Sequence, residues 1–181
     1  MSIAVPPASD HSVAIGTPAG VLTDLLHAVD DLDWPRVRRA LADTVVVDYT
    51  SLFGGDVETV AADALVERWQ GLLPGFDATQ HLTGPVLVRP AEGETGDGAG
   101  DEARVETHVR GYHYLRGPRA GTEAAVWMVA GHYEATAVRQ PDGWRITSLT
   151  LRTFYEEGDR SLVELAAGRA TTTPRPSVVR P

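Results

Sequence analysis

Apolar residues Leu22, Leu25, Leu26 and Val29 recur at i, i+3, i+4 and i+7 behind Thr17-Pro18, a capping residue followed by a proline suited to the first helical position. This spacing predicts an amphipathic helix. A second start, Asp33 before Trp34-Pro35, leads through Val37, Ala40 and Leu41 to about Ala42, so that Asp30 and Asp31 lie near the elbow of a helical pair. The β-branched run Val45 to Asp48, with Tyr49, reads as a short strand ended by Gly54-Gly55-Asp56. Helical spacing returns over Ala61 to Leu73, with Leu65, Trp69 and Leu72 on one stripe, and stops at Pro74-Gly75.

Beyond Gly75 the pattern turns to period two. Strands are predicted over Thr79 to Arg89, Ala103 to Leu115, Thr122 to Arg139 and Trp144 to Tyr155. An acidic, glycine-rich loop spans 90–103, Pro141-Asp142-Gly143 makes a tight turn, and a short closing helix spans Asp159 to Ala167. Helices first and an antiparallel meander afterwards predict an α+β fold, with helices covering one face of a curved sheet. Residues 1–16 lack hydrophobic periodicity and are expected to be a flexible leader. The proline-rich stretch 168–181 is expected to be a flexible tail, which leaves 17–167 as one domain.

Composition narrows the partners. The chain has 181 residues, 43% of them hydrophobic, enough for one sizeable core. With 16 basic against 25 acidic residues, the net charge of −9 opposes binding to nucleic acid or to anionic membranes. A small hydrophobic or aromatic ligand fits better. Cysteine is absent, which excludes disulfides, thiolate catalysis and cysteine metal sites. No run of 18 apolar residues occurs and the N-terminus has no basic start, so a cytoplasmic location is the default expectation.

Candidate chemistry centres on VETHVRGYHYL, Val105 to Leu115. Alternation puts Val105, Thr107, Val109, Gly111, His113 and Leu115 on one face, and Arg104, Glu106, His108, Arg110, Tyr112 and Tyr114 on the wet one. A buried imidazole without a partner costs ~1–3 kcal/mol, so His113 needs a reason to be there. It is a core histidine bonded to a neighbouring strand, or part of a site with His81, Asp30, Asp48, Tyr49, His132 and Glu134. Glu134 follows the Val126, Met128, Ala130, His132 face and is expected to be a second buried carboxylate, its pKa raised by desolvation. No HxH or HExxH spacing supports a metal site.

The ordered motifs DLDW (Asp31 to Trp34), VDYTSL (Val47 to Leu52), TQH (Thr79 to His81), GYHYLR (Gly111 to Arg116), GHYEA (Gly131 to Ala135) and DGWRI (Asp142 to Ile146) resemble the SnoaL-like branch of the nuclear-transport-factor-like superfamily. Within that branch the pattern is most similar to scytalone dehydratase. The resemblance covers about Thr17 to Tyr155. It implies a cone-shaped, strongly bent mixed sheet wrapped around N-terminal helices, a cystatin-like α+β barrel whose ligand pocket opens into the cone. It also implies that Asp30, Tyr49, His81 and His113 carry the pocket chemistry. The tyrosine expected before the Asp is Val29 here, and the expected strand asparagine falls near Glu134.

Three functions follow as expectations. The first is a cofactor-free lyase that dehydrates a cyclic aromatic or polyketide-derived ketone. In it, His81 or His113 serves as acid and base, Asp30 orients a ring, and Tyr49 donates to an oxygen. Val29, Phe53, Trp69, Met128, His132 and Glu134 are expected on the substrate side. The second is a polyketide cyclase or ketosteroid-type isomerase with a carboxylate base such as Glu134. The third is a non-enzymatic binding or assembly module, whose cavity would be filled by side chains. An outward patch of Tyr112, Tyr114, Trp127 and Tyr133 would favour a homodimer or homotrimer.

Overall fold

A computed structural model of the chain describes residues 16–90, 100–117 and 123–178. The expected leader and most of the 90–103 loop lie outside the described residues. Helix α1 (Pro18–Asp31) starts where the hydroxyl of Thr17 accepts the Gly20 N–H at 3.0 Å. Helix α2 (Trp34–Ala40) starts where Asp33 accepts the Arg36 N–H at 3.1 Å. Between them Leu32 takes a left-handed turn (φ 56), and the Leu32 and Asp33 amides bond back to Val29 and Ala28. This reversal is held by burial of Leu32. The chain then continues through β1 (Leu41–Asp48), the short α3 (Thr50–Phe53), β2 (Glu58–Ala61), α4 (Ala62–Gln70) and a 3-10 turn, Leu73–Gly75.

The remaining strands are β3 (Ala78–Thr83), β4 (Leu87–Pro90), β5 (Glu102–Leu115), β6 (Ala125–Gln140) and β7 (Gly143–Gly158), followed by α5 (Leu162–Thr172). They form one mixed sheet in the order β2-β1-β7-β6-β5-β3, with β4 extending the β5 edge. Only β1 and β7 run parallel. The sheet bends around α1, which touches β3, β5, β6 and β7, and it stays open because β2 and β3 do not pair. Where the sequence predicts one strand over Thr79 to Arg89, two form. Pro85 has no N–H for the ladder, and Thr107 instead caps the Gly84 carbonyl at 3.1 Å.

The core fills the concave side. Val21, Leu22 and Leu25 of α1 pack with Val105, Leu115, Trp127, Ile146 and Leu149 of the sheet, all at most 2% exposed. Each such leucine contributes about 1.5–3 kcal/mol by leaving water. Among the described residues no helix is long and apolar enough to cross a membrane.

Two expectations about faces and ends are corrected. Trp127 and Tyr133 point into the concave side and are buried, so the patch with Tyr112 and Tyr114 does not form. The exposed apolar residues around the convex-side hollow are Leu82, Phe154 and Tyr155. The domain does not stop at 167. Helix α5 runs on to Thr172, and the segment after it is hydrogen-bonded to the body of the fold by the Arg175 N–H to Pro74 (2.7 Å) and the Val178 N–H to Asp31 (2.8 Å).

Candidate active site

A cavity of about 320 Å³ lies between the concave face and helices α1, α3 and α4. Its walls are mostly apolar: Leu25, Leu26 and Val29 from α1, Phe53 from α3, Trp69 from α4, and Val109, Trp127, Val129 and Leu151 from the sheet. Polar groups reach it at few points. They are His81, His113, Tyr49 and Tyr133 at one part of the wall, and Thr50, Asp56, Glu58 and Arg68 along the stretch from α3 to α4. A small hollow of this kind, apolar with a few convergent polar groups, is the usual form of a small-molecule site.

The geometry of the imidazoles follows from register. In the antiparallel β3–β5 pair, Thr79 lies opposite His113 and His81 opposite Gly111, so the two histidines are diagonal neighbours on one face. Their ring centroids are 6.1 Å apart and nearly perpendicular. Gly111 leaves the space between them open: a Cβ there would sit 3.4 Å from His81 Nε2 and 3.5 Å from His113 Cε1.

Asp30, at the end of α1, is aimed across this gap by the reversal at Leu32. Its Oδ2 accepts the main-chain N–H of His81 at 2.7 Å, and its Oδ1 lies 2.8 Å from His81 Nδ1. Burial pushes the Asp30 carboxyl up, but the His81 hydrogen bonds and charge, with Thr79, outweigh it and hold the pKa below its ordinary value. Asp30 is therefore ionised at neutral pH and fixes the His81 proton on Nδ1. That makes Nε2 the ring nitrogen on the cavity side.

His113 is in a different state. Burial, and then the neighbouring His81 charge, bring its pKa down to about 3. It stacks against Trp127 at 4.6 Å and Phe76 at 5.0 Å, and its Nδ1 lies 3.3 Å from the Trp127 carbonyl. A carbonyl can only accept, so Nδ1 carries the hydrogen and the ring is neutral. Burial raises the Tyr49 phenol well above its ordinary value, and the Tyr133 phenol to about 12. The two hydroxyls are neighbours, and both stay protonated at neutral pH.

Of the residues expected on the substrate side, Val29, Phe53 and Trp69 line the cavity. Met128, His132 and Glu134 do not. They belong to the opposite face of β6, where His132 stacks on His108 and Glu134 bonds Arg152 (2.9 Å) and Arg104 (2.6 Å). These arginines hold the Glu134 carboxyl below its ordinary pKa, the reverse of the expected raised value. The inward residue of this stretch is Tyr133, which the sequence reading turned outward. The signal for it was cross-strand: His113 pairs with Trp127, so inward residues on β6 are odd-numbered. Asp48 closes the turn into α3 by accepting from the Thr50 N–H and hydroxyl. No group of three His, Asp or Glu residues suited to a metal ion occurs among the described residues.

Residues 19–150 match the SnoaL-like domain. The chain belongs to that family. Among solved structures, the SnoaL-like fold is shared with Kfla4162 from Kribbella flavida, at 28% identity and a TM-score of 0.67 over 81% of this chain and 91% of that one. A provisionally assigned scytalone dehydratase from Novosphingobium aromaticivorans has 18% identity and a TM-score of 0.57, covering 76% of this chain and 81% of that one. A hexachlorocyclohexane dehydrochlorinase, LinA-type3 from Novosphingobium barchaimii, has 16% identity and a TM-score of 0.55, covering 77% and 86%. A search of curated protein sequences finds no match.

Proposed function

We propose that this SnoaL-like chain is a cofactor-free lyase that removes water from a small, neutral, cyclic ketone bearing a hydroxyl β to the carbonyl. The observation that carries the reading is the Asp30–His81 pair, with Nε2 on the side of an apolar cavity. His81 takes the proton α to the carbonyl, and the Asp30 carboxylate stabilises the resulting imidazolium without itself becoming protonated. Tyr133, supported by Tyr49, donates to the carbonyl oxygen as the enolate develops. The imidazolium then returns the same proton to the departing hydroxyl. Water leaves, the conjugated enone remains, and His81 is restored.

The different settings of the two histidines support a division of roles. With its pKa brought down to about 3 by burial, His113 is a weak base that stays neutral at neutral pH, which supports it as a positioning group and His81 as the acid and base. Apolar walls that include Phe53, Trp69 and Trp127 favour a flat ring. A dehydratase and a dehydrochlorinase among the fold's neighbours agree with elimination across adjacent carbons. Glu134, bound to Arg104 and Arg152 on the other face of β6, does not line the cavity, so it gives the cyclase or isomerase reading no support as its base. An open cavity also speaks against a module whose hollow is plugged.

The test is a panel of cyclic β-hydroxyketones followed by the absorbance of the conjugated enone. Enone formation by the native chain, lost in His81→Ala, is the expected result. Equal yields from native protein and His81→Ala, or none from any β-hydroxyketone, would refute the proposal.

A further inference from the structure

The stretch after α5 reaches the back of the Asp30–His81 pair. Helix α5 is seated by Gly75, where a Cβ would come within 1.8 Å of the Ala166 carbonyl oxygen, and by the Arg169–Asp77 ion pair at 2.8 Å. The chain then returns across the fold, tied on one side of Asp30 by the Arg175 N–H to Pro74 and on the other by the Val178 N–H to Asp31. These main-chain bonds fix where the Arg175 side chain starts. Its Nη2 donates to Thr79 Oγ1 at 3.2 Å, and the Thr79 hydroxyl neighbours the Asp30 carboxylate and helps to lower its pKa. Arginine has no acceptor, so the hydroxyl must receive from Arg175, and its one hydrogen is left for the carboxylate.

We propose that Arg175 is a positioning residue for the Asp30–His81 pair, acting through Thr79 to hold the Asp30 carboxylate in the orientation that keeps the His81 proton on Nδ1. Asp30 is then held by two groups of His81, its amide and Nδ1, with the Thr79 hydroxyl beside them. The guanidinium is half-buried among the Asp30, Asp31 and Asp77 charges, and its buried Nε has no hydrogen-bond partner. Such a donor is costly to bury for packing alone. A cation at this place opposes protonation of Asp30 and so favours the ionised, orienting form.

The inference rests on the proposed role of His81 but is tested without a substrate. Long-range proton–nitrogen NMR of the full-length, nitrogen-15-labelled protein distinguishes the two neutral imidazole tautomers. The native His81 is expected to show Nδ1–H alone, and Arg175→Met and Thr79→Val are each expected to lose this single form and gain an Nε2–H population. Thr79→Ser, which keeps the hydroxyl, is expected to restore the native spectrum. With a substrate in hand, Arg175→Met should lower kcat roughly 10-fold with KM little changed, as for loss of an outer orienting partner. Should Arg175→Met not fold, Thr79→Val decides, since it leaves the strap intact. A native tautomer in Thr79→Val or in folded Arg175→Met, alongside an altered one in Asp30→Asn, overturns the role of Arg175 and spares the pair. An unaltered tautomer in Asp30→Asn overturns the pair itself.

Discussion

Both oxygens of the Asp30 carboxylate are occupied by a single residue, His81, one accepting its main-chain N–H at 2.7 Å and the other facing its Nδ1 at 2.8 Å. The main-chain contact locks the carboxylate to β3, and the side-chain contact sets the tautomer. Asp30→Asn keeps the shape but presents an amide that can offer hydrogen to the ring. The expected outcome is a fall in kcat of ~10³-fold or more with a native fold, by analogy with the orienting carboxylate of a hydrolase triad. Steady-state kinetics beside a circular dichroism spectrum check it, and a loss under tenfold would argue against an orienting role.

Tyr133 and Tyr49 are neighbours at the cavity wall, with burial holding both phenols protonated. Removing a donor to a developing oxyanion costs on the order of 10²–10³ in kcat. Tyr133→Phe should show a loss of that size, and Tyr49→Phe a smaller one because it acts through Tyr133. The melting temperature should barely move in either. Equal losses in KM alone would place the phenols in ground-state binding.

His113 makes stability depend on pH. Its folded pKa of about 3 lies below its ordinary 6.5, so between these values the unfolded chain binds a proton that the folded chain does not. Stability from this source is complete above pH 6.5 and falls as the pH drops toward 3. Between pH 7.5 and 5 the loss is about 2 kcal/mol. The carboxylates whose pKa values are lowered, Asp30, Asp48, Asp77, Glu58 and Glu134, stabilise the fold above their ordinary values and lose this only below about pH 4.5, so this window belongs to His113 among the shifted groups. Urea midpoints at the two pH values should fall in the native protein and much less in His113→Leu. Parallel falls in both would contradict the assignment.

Glu134 tests the corrected face of β6. Bound between Arg104 and Arg152, it belongs to a surface network of modest strength. Glu134→Gln should keep full activity and lose within about 1 kcal/mol of stability. Loss of turnover in this variant, measured in the same enone assay, would return the carboxylate-base reading.

What could be read from the sequence divides along physical lines. The starts at Thr17-Pro18 and Asp33-Trp34-Pro35 were legible because capping is local. The inward face of β5 was legible because Val105, Val109 and Leu115 alternate cleanly with Arg104, His108 and Arg110. On β6 the alternation fails: Trp127, Met128, Val129, Ala130 and Gly131 are all buried, so parity could not be told and Tyr133 was turned outward. The SnoaL-like motif order pointed to Asp30, Tyr49, His81 and His113, but not to the lowered pKa of His113, since that depends on burial against Trp127 and Phe76. The C-terminal segment was read as a loose tail because Pro174, Arg175 and Pro176 bury little apolar surface. Main-chain hydrogen bonds hold it, and composition carries no trace of those.

The central claim, that His81 removes a proton from carbon inside the cavity, is tested most directly by α-carbon exchange in D2O on a cyclic aromatic ketone without a leaving group, such as 1-tetralone. Proton NMR of the α-methylene should show deuterium entering at least ~10²-fold faster with native protein than with buffer, a size within reach of one positioned base. His81→Ala and Asp30→Asn should fall to the buffer rate while Glu134→Gln keeps the native one. Exchange that survives in His81→Ala, or that disappears in Glu134→Gln, would contradict the account.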